Sequence, residues 1–176
     1  ASHQSAMNFS TLMYAFPASI SNTMAIIVSF EIGAGRPDVV RQYCRIGRWT
    51  AFGFSFFTLT FLYLYRYQVA GLYGTDSEFI HQTAIFMTYS LFFQVADVFA
   101  APLQGILRGY KDTKVPFYLG VLTYWGITFP VGFLLEKVTG LGPYSYWIGL
   151  IASLIVSGLC YQWRLNRIVK RYESQL

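Results

Sequence analysis

The chain has 176 residues, of which 55% are hydrophobic, 19% aromatic and only 12% charged. A soluble domain carries about 25% charged residues, and 16 Phe with 14 Tyr exceed what one small soluble core could bury, so the composition excludes an ordinary soluble domain and makes lipid the natural solvent. A net charge of +5 would fit a nucleic-acid partner, but the placement of the cations, given below, argues against one.

Five apolar segments are predicted, at about 8–33, 49–67, 79–107, 115–135 and 144–163. Each is near or above the ~20 residues a helix needs to cross ~30 Å of hydrocarbon. The connections are short and rich in Gly, Pro, Asp and Lys/Arg, as helix ends should be. The expected fold is therefore an all-α integral membrane domain of five transmembrane helices, occupying residues 1–176 as one unit.

In the first segment Gln4, Asn8, Thr11, Ala15, Ala18 and Asn22 recur at alternating steps of four and three. That spacing defines one helical face, polar at one end and small in the middle, and it is expected to line a polar cavity. Glu31 stands near the other end, about a turn before Arg36, where a local ion pair is expected. Pro17, Pro102 and Pro130 fall inside the first, third and fourth segments, where each deletes a backbone hydrogen bond and can bend the helix.

The third segment poses the sharpest question. Its sequence SLFFQVADVFAAPLQGILRGYKDT places Asp97 eleven residues before Arg108. At ~1.5 Å rise per residue, that is about 16 Å from the basic end, near the midplane. A carboxylate there costs at least ~2.5–3.5 kcal/mol, so a structural role explains it poorly. Ser90, Gln94, Asp97, Ala101, Gln104 and Arg108 share its face, and a polar stripe on an apolar helix should face protein or water. Interhelical Ser, Thr, Asn and Gln can also serve as structural glue, which is the expected role of Gln104, Thr11 and Asn22. His81 opens this segment without an evident metal partner, and Glu136 lies beside Lys137 at the end of the fourth. In the fifth, Gly149, Ser153 and Ser157 recur every four residues, a small ridge suited to close helix packing.

The cations orient the chain. Arg36, Arg41, Arg45 and Arg48 lie between segments one and two; Arg108, Lys111 and Lys114 between three and four; Arg164, Arg167, Lys170 and Arg171 after five. These are eleven of the 13 Lys and Arg, leaving Arg66 and Lys137 on the other side. The positive-inside bias puts the RPDVVRQYCR loop, the RGYKDT loop and the C-terminus in the cytoplasm. The first residue then falls outside without a signal peptide to carry it there, so an upstream span is expected and the chain reads as a piece of something larger. Cys44 and Cys160 have no metal-site or CxxC spacing and read as free thiols. There is no GxxxxGK[ST] phosphate loop. Two His residues, His3 and His81, both near the outer face, do not make a catalytic cluster, so no enzyme and no cofactor are expected.

At this point the chain resembles the C-terminal half of a multidrug and toxic compound extrusion (MATE) transporter of the NorM type. SHQSAMNFSTLMYAFPASIS resembles the start of the family's eighth helix and FEIGAGR the turn that follows it. FFQVADVFAAPLQGILRGYKDTKVP, the most specific match, resembles its tenth helix and the next cytoplasmic loop. YWGITFPVGFLL and GPYSYWIGL resemble helices eleven and twelve. The resemblance implies a twelve-helix, two-lobe fold in which these five segments are helices 8 to 12, with the N-terminal lobe and helix 7 missing as partners.

It also implies export of organic cations, drugs or dyes, in exchange for Na⁺ or H⁺ across a bacterial inner membrane. By resemblance Asp97 is the cation-coupling acid, which would hold Na⁺ if sodium drives transport. Gln4 and the external-loop acid Asp76 match substrate or cavity positions, and Asn8, Ser90, Phe93 and Gln94 are candidate cavity-lining residues with them. Phe93 stands where a Tyr is common, Thr75 where some members have an acid, and Glu31 where many have a base. The alternatives are a lipid-linked sugar flippase of the same superfamily, which should show a basic cavity, and a non-transporting assembly subunit, which would not need Asp97.

Overall fold

The structure, a computed structural model, describes residues 2–74 and 76–173. Ala1, Thr75 and residues 174–176 lie outside the described residues, as do the side chains of Ser2, His3 and Glu173. Five helices follow one another: α1 Ser2–Gly33, α2 Pro37–Gly71, α3 Ser77–Gly109, α4 Lys114–Thr139 and α5 Pro143–Glu173. All five apolar segments are helical, and each helix outruns its segment. The correction is largest for α2 and α5. The RPDVVRQYCR stretch, expected as a loop, is the helical start of α2, with Pro37 in its first turn and Asp38 facing the positive end of the helix dipole. Apolar content marks only the part of a helix inside lipid; the polar turns beyond it are helical without being apolar.

The helix ends follow from local chemistry. Gly35, at φ 69°, closes α1 in the left-handed conformation that costs glycine little. The amide of Gly35 donates to the Ile32 carbonyl at 3.0 Å, and that of Arg36 to the Glu31 carbonyl at 3.0 Å, the paired bonds of a Schellman end. Asp76 precedes α3 in an extended conformation, and its carboxylate accepts from the Phe79 amide at 3.2 Å.

Helix α3 is central, packed against α1, α2 and α5, while α4 packs chiefly on α5. α1 runs parallel to α3: Ser10 meets Ser90, and Val28 meets Gly109. α2 runs antiparallel to α1, with Met24 beside Gly47 and Phe16 beside Phe54 at 4.7 Å. α5 runs parallel to α3, with Trp147 near Phe86 at 6.4 Å and Phe99 beside Gly158. The small ridge of α5 meets α4: Gly149 lies against the Thr128 carbonyl, and Ser157 hydrogen-bonds Thr123. This topology gathers the eleven cations of the sequence pattern at one end of the bundle.

Four helices, α1, α3, α4 and α5, are long and apolar enough to cross a membrane. α2 is as long, but Arg41, Arg45, Arg48, Arg66 and its many tyrosines lower its mean hydropathy. The surface is apolar: Trp49, Phe56 and Phe57 on α2 and Phe117, Leu122 and Trp125 on α4 are exposed. Such contiguous apolar faces suit lipid or a partner lobe, not water.

Candidate functional site

α3 carries a polar stripe through its most buried stretch. Ser90, Gln94, Asp97 and Ala101 are all buried; Gln104 is half-buried and Arg108 exposed. The face predicted from the four–three spacing is thus turned toward protein. Its upper part is tied to α1 by a 2.5 Å bond between the hydroxyls of Ser10 and Ser90, and Gln94 Nε2 donates to Ser90 Oγ at 3.5 Å. At the basic end, Arg108 donates to Ser21 Oγ at 2.9 Å and to Asn22 Oδ1 at 3.2 Å. Between these two ties lies Asp97.

On the α1 side, the stripe that starts at Gln4 and Asn8 is not the face that packs against α3. Gln4 and Asn8 are exposed, and Gln4 Nε2 donates to Asn8 Oδ1 at 3.3 Å. Neither meets Asp97. The face of α1 that packs inward is Ala6, Ser10, Pro17, Ser21, Met24, Val28 and Glu31, roughly 140° around the helix from the predicted stripe at 3.6 residues per turn. Ser10 and Ser21 are the polar members that sequence reasoning missed. Their signal was present: they share one face with Ala6, Met24 and Val28, so small and apolar neighbours marked the packed side. Tyr14 was missed too; it lies within electrostatic reach of both Asp97 and Arg108.

Two acids are buried among the described residues, Glu31 and Asp97. Glu31 is neutralised locally, as expected, by Arg36 Nε at 2.7 Å. Asp97 is 8% exposed, and among the described residues no cation pairs with it. A buried carboxylate without a fixed cation can take up a mobile one, either a proton or a metal ion with hydroxyl and amide oxygens as further ligands. Ser90 and Gln94 supply such oxygens on the same face. The described residues hold no cluster of three or more His, Cys, Asp or Glu.

The remaining candidates separate. Phe93 is turned toward α5, edge-on to Trp147 at 6.3 Å. Asp76 is exposed and committed to capping α3, which gives it a structural role independent of any ligand. His81 is exposed. Glu136 accepts from the Tyr146 hydroxyl at 2.8 Å, and Lys137 lies over the Phe133 ring at 4.5 Å. Both cysteines are free, as expected. Burial pushes the Cys44 thiol, in the polar first turns of α2, up to about 11.

The MatE family model matches residues 1–134. The chain is 67% identical over 174 residues to the "Probable multidrug resistance protein NorM" of Streptococcus pneumoniae, covering 99% of this chain and 38% of that protein. It is 45% identical over 175 residues to the protein of the same description in Bacillus subtilis, covering 99% of this chain and 39% of that one. The chain therefore spans less than two fifths of the length of these curated relatives. A crystal structure described as the eukaryotic MATE transporter AtDTX14 superposes with a TM-score of 0.85 at 16% identity, covering 99% of this chain and 41% of that one. The five-helix arrangement is thus that of part of a MATE transporter fold.

Proposed function

This chain belongs to the MatE family, and from that premise we propose that it forms helices 8 to 12 of a secondary multidrug antiporter, which exports bulky organic cations in exchange for Na⁺ or H⁺. The observation that carries the proposal is Asp97: a mid-helix acid, buried on the central helix, with polar neighbours along its own face and no cation paired to it among the described residues. A fixed charge of this kind is costly in lipid and is kept where ions or protons pass. In the proposed cycle Asp97 takes up the driving cation from one side and yields it to the other. The organic cation meets the same negative charge and aromatic walls that attract cations through their ring faces. Alternating access then requires the second lobe, rocking against this one about the site.

Eleven cations at one end of the bundle support an inner-membrane topology with that end, and the C-terminus, in the cytoplasm. The test is transport by the full-length protein that carries this segment, reconstituted in vesicles with a fluorescent organic cation and an imposed Na⁺ or proton gradient. Gradient-dependent dye movement in at least one of the two is expected. Dye movement that is indifferent to both gradients, or uptake of ATP-driven type, would contradict antiport.

A further inference from the structure

We propose that the basic end of the bundle holds an anionic glycerophospholipid, its headgroup in a cationic cleft between α2 and α5 and an acyl chain in the apolar groove beside it. The proposal rests on the membrane reading of the chain and is independent of what the protein transports.

The cleft has a volume of about 450 Å³. Arg41, Arg45, Arg48 and Lys170 line it, with the amides of Gln162 and Asn166, and among the described residues no acid lines it. Arg45, Arg48 and Lys170 bring three like charges around one cleft, an arrangement that favours an anion between them. One wall is held in place. Arg48 Nε donates to the Cys44 carbonyl at 3.2 Å, its Nη1 donates to Gln162 Oε1 at 3.3 Å, and Gln162 Nε2 donates to Asn166 Oδ1 at 2.8 Å. This chain of bonds links α2 to α5 across the cleft and fixes one guanidinium facing it. Arg45 is exposed and reaches the same space.

A second groove, of about 290 Å³, shares Arg45 and Arg48 with the cleft and is otherwise lined by Trp49, Phe52, Val98 and Phe99. Val98 and Phe99 lie about ten residues before the end of α3, which is roughly 15 Å from the basic end at 1.5 Å per residue. The two spaces, which share two arginines, thus set a polar, cationic mouth beside an apolar groove at the depth of acyl chains. A free phosphate would use the mouth alone; a zwitterionic lipid would use the groove but gain little from the cations. Both halves together match an anionic lipid, and basic pockets between helices on the cytoplasmic side bind such headgroups.

The experiment uses the full-length protein, delipidated in neutral detergent. It measures binding of fluorescent phosphatidylglycerol and of phosphatidylcholine with the same acyl chains, each with and without inorganic phosphate. Phosphatidylglycerol should bind more tightly than phosphatidylcholine. Arg45→Gln should weaken that binding about fivefold, and the double variant with Arg48→Gln about thirtyfold, at about one kcal/mol per cation near an anionic headgroup. Phe52→Ala should weaken both lipids. Lys111→Gln, a change of equal charge at the same end but outside the cleft, should weaken neither. Arg45 makes no bond to the Arg48–Gln162 wall, so Arg45→Gln decides alone if the double variant is not recovered from the membrane. Equal affinity for the two lipids, or an equal loss in Lys111→Gln, would overturn the proposal. So would displacement by phosphate at concentrations comparable to the lipid, which would assign the cleft to a free anion.

Discussion

The closest approach between α1 and α3 offers a test of the packing that seats Asp97. An alanine Cβ at Gly105 would fall on the carbonyl oxygen of Ser21, 2.7 Å from its carbonyl carbon and 2.8 Å from its Cα. Ordinary contact begins at 3.4 Å, so the helices must part by well over ~0.7 Å at this level, the carbonyl oxygen being nearer than either carbon, and backbone cannot swing aside as a flexible side chain can. Overpacking of this kind costs about 1–3 kcal/mol. Replacing a helical glycine with alanine otherwise gains about 0.5–1 kcal/mol. Gly126, inside α4, has nothing within 4 Å of an added Cβ, so Gly126→Ala reads the gain alone. The difference between the two variants isolates the packing cost, read as a difference in unfolding midpoint. The assay is thermal unfolding of the full-length protein in detergent, where Gly105→Ala should melt below wild type and Gly126→Ala at or above it. Equal midpoints for the two variants would refute the close α1–α3 crossing. The same parting would strain the Arg108 bonds to Ser21 and Asn22, so Gly105→Ala should also transport less.

A double-mutant cycle of Ser10→Ala with Ser90→Ala should give a coupling of about 0.6 kcal/mol and at most about 1.7 kcal/mol in unfolding free energy; zero coupling would mean that the two hydroxyls do not bond. A membrane-impermeant maleimide applied from outside should label neither Cys44 nor Cys160. In permeabilised cells at neutral pH, Cys44 should react more slowly than Cys160, because its thiol, pushed up to about 11 by burial, stays protonated and is shielded. Vesicles containing only these 176 residues should show no dye efflux, since the proposed alternating access needs a second lobe to rock against; efflux by the segment alone would remove the basis for the two-lobe account.

Helix number, order and type were legible because hydrophobic length carries them directly: residues 79–107 read as a span and lie within α3. Helix limits were less legible, because the amphipathic turns of α2 around Arg41 and Cys44 pack on Leu165 and Ile168 and are held by that packing, not by lipid. The stripe around Asp97 was legible because an acid in an apolar helix has few explanations. The partner face on α1 was not. A four–three alternation can be drawn on any side of a helix, and the side chosen by polarity, Gln4 to Asn22, is the exposed one. Close packing selects small residues, so Ala6, Ser10 and Ser21 mark the contact although two of them are polar. The capping role of Asp76 was hidden for another reason: an acid before a helix serves a cap and a ligand site with the same residue type.

The most direct measurement is the effect of Asp97→Asn on coupled efflux in the full-length protein. The substitution keeps the size of the side chain and removes its charge, and Asp97 makes no ion pair among the described residues that the change would break. The amount of protein in the membrane should therefore hold, while gradient-driven export of a cationic dye falls to background, and Gln104→Ala should do less harm. Export by Asp97→Asn at the wild-type rate under the same gradient would contradict the account and leave Asp97 a structural polar residue.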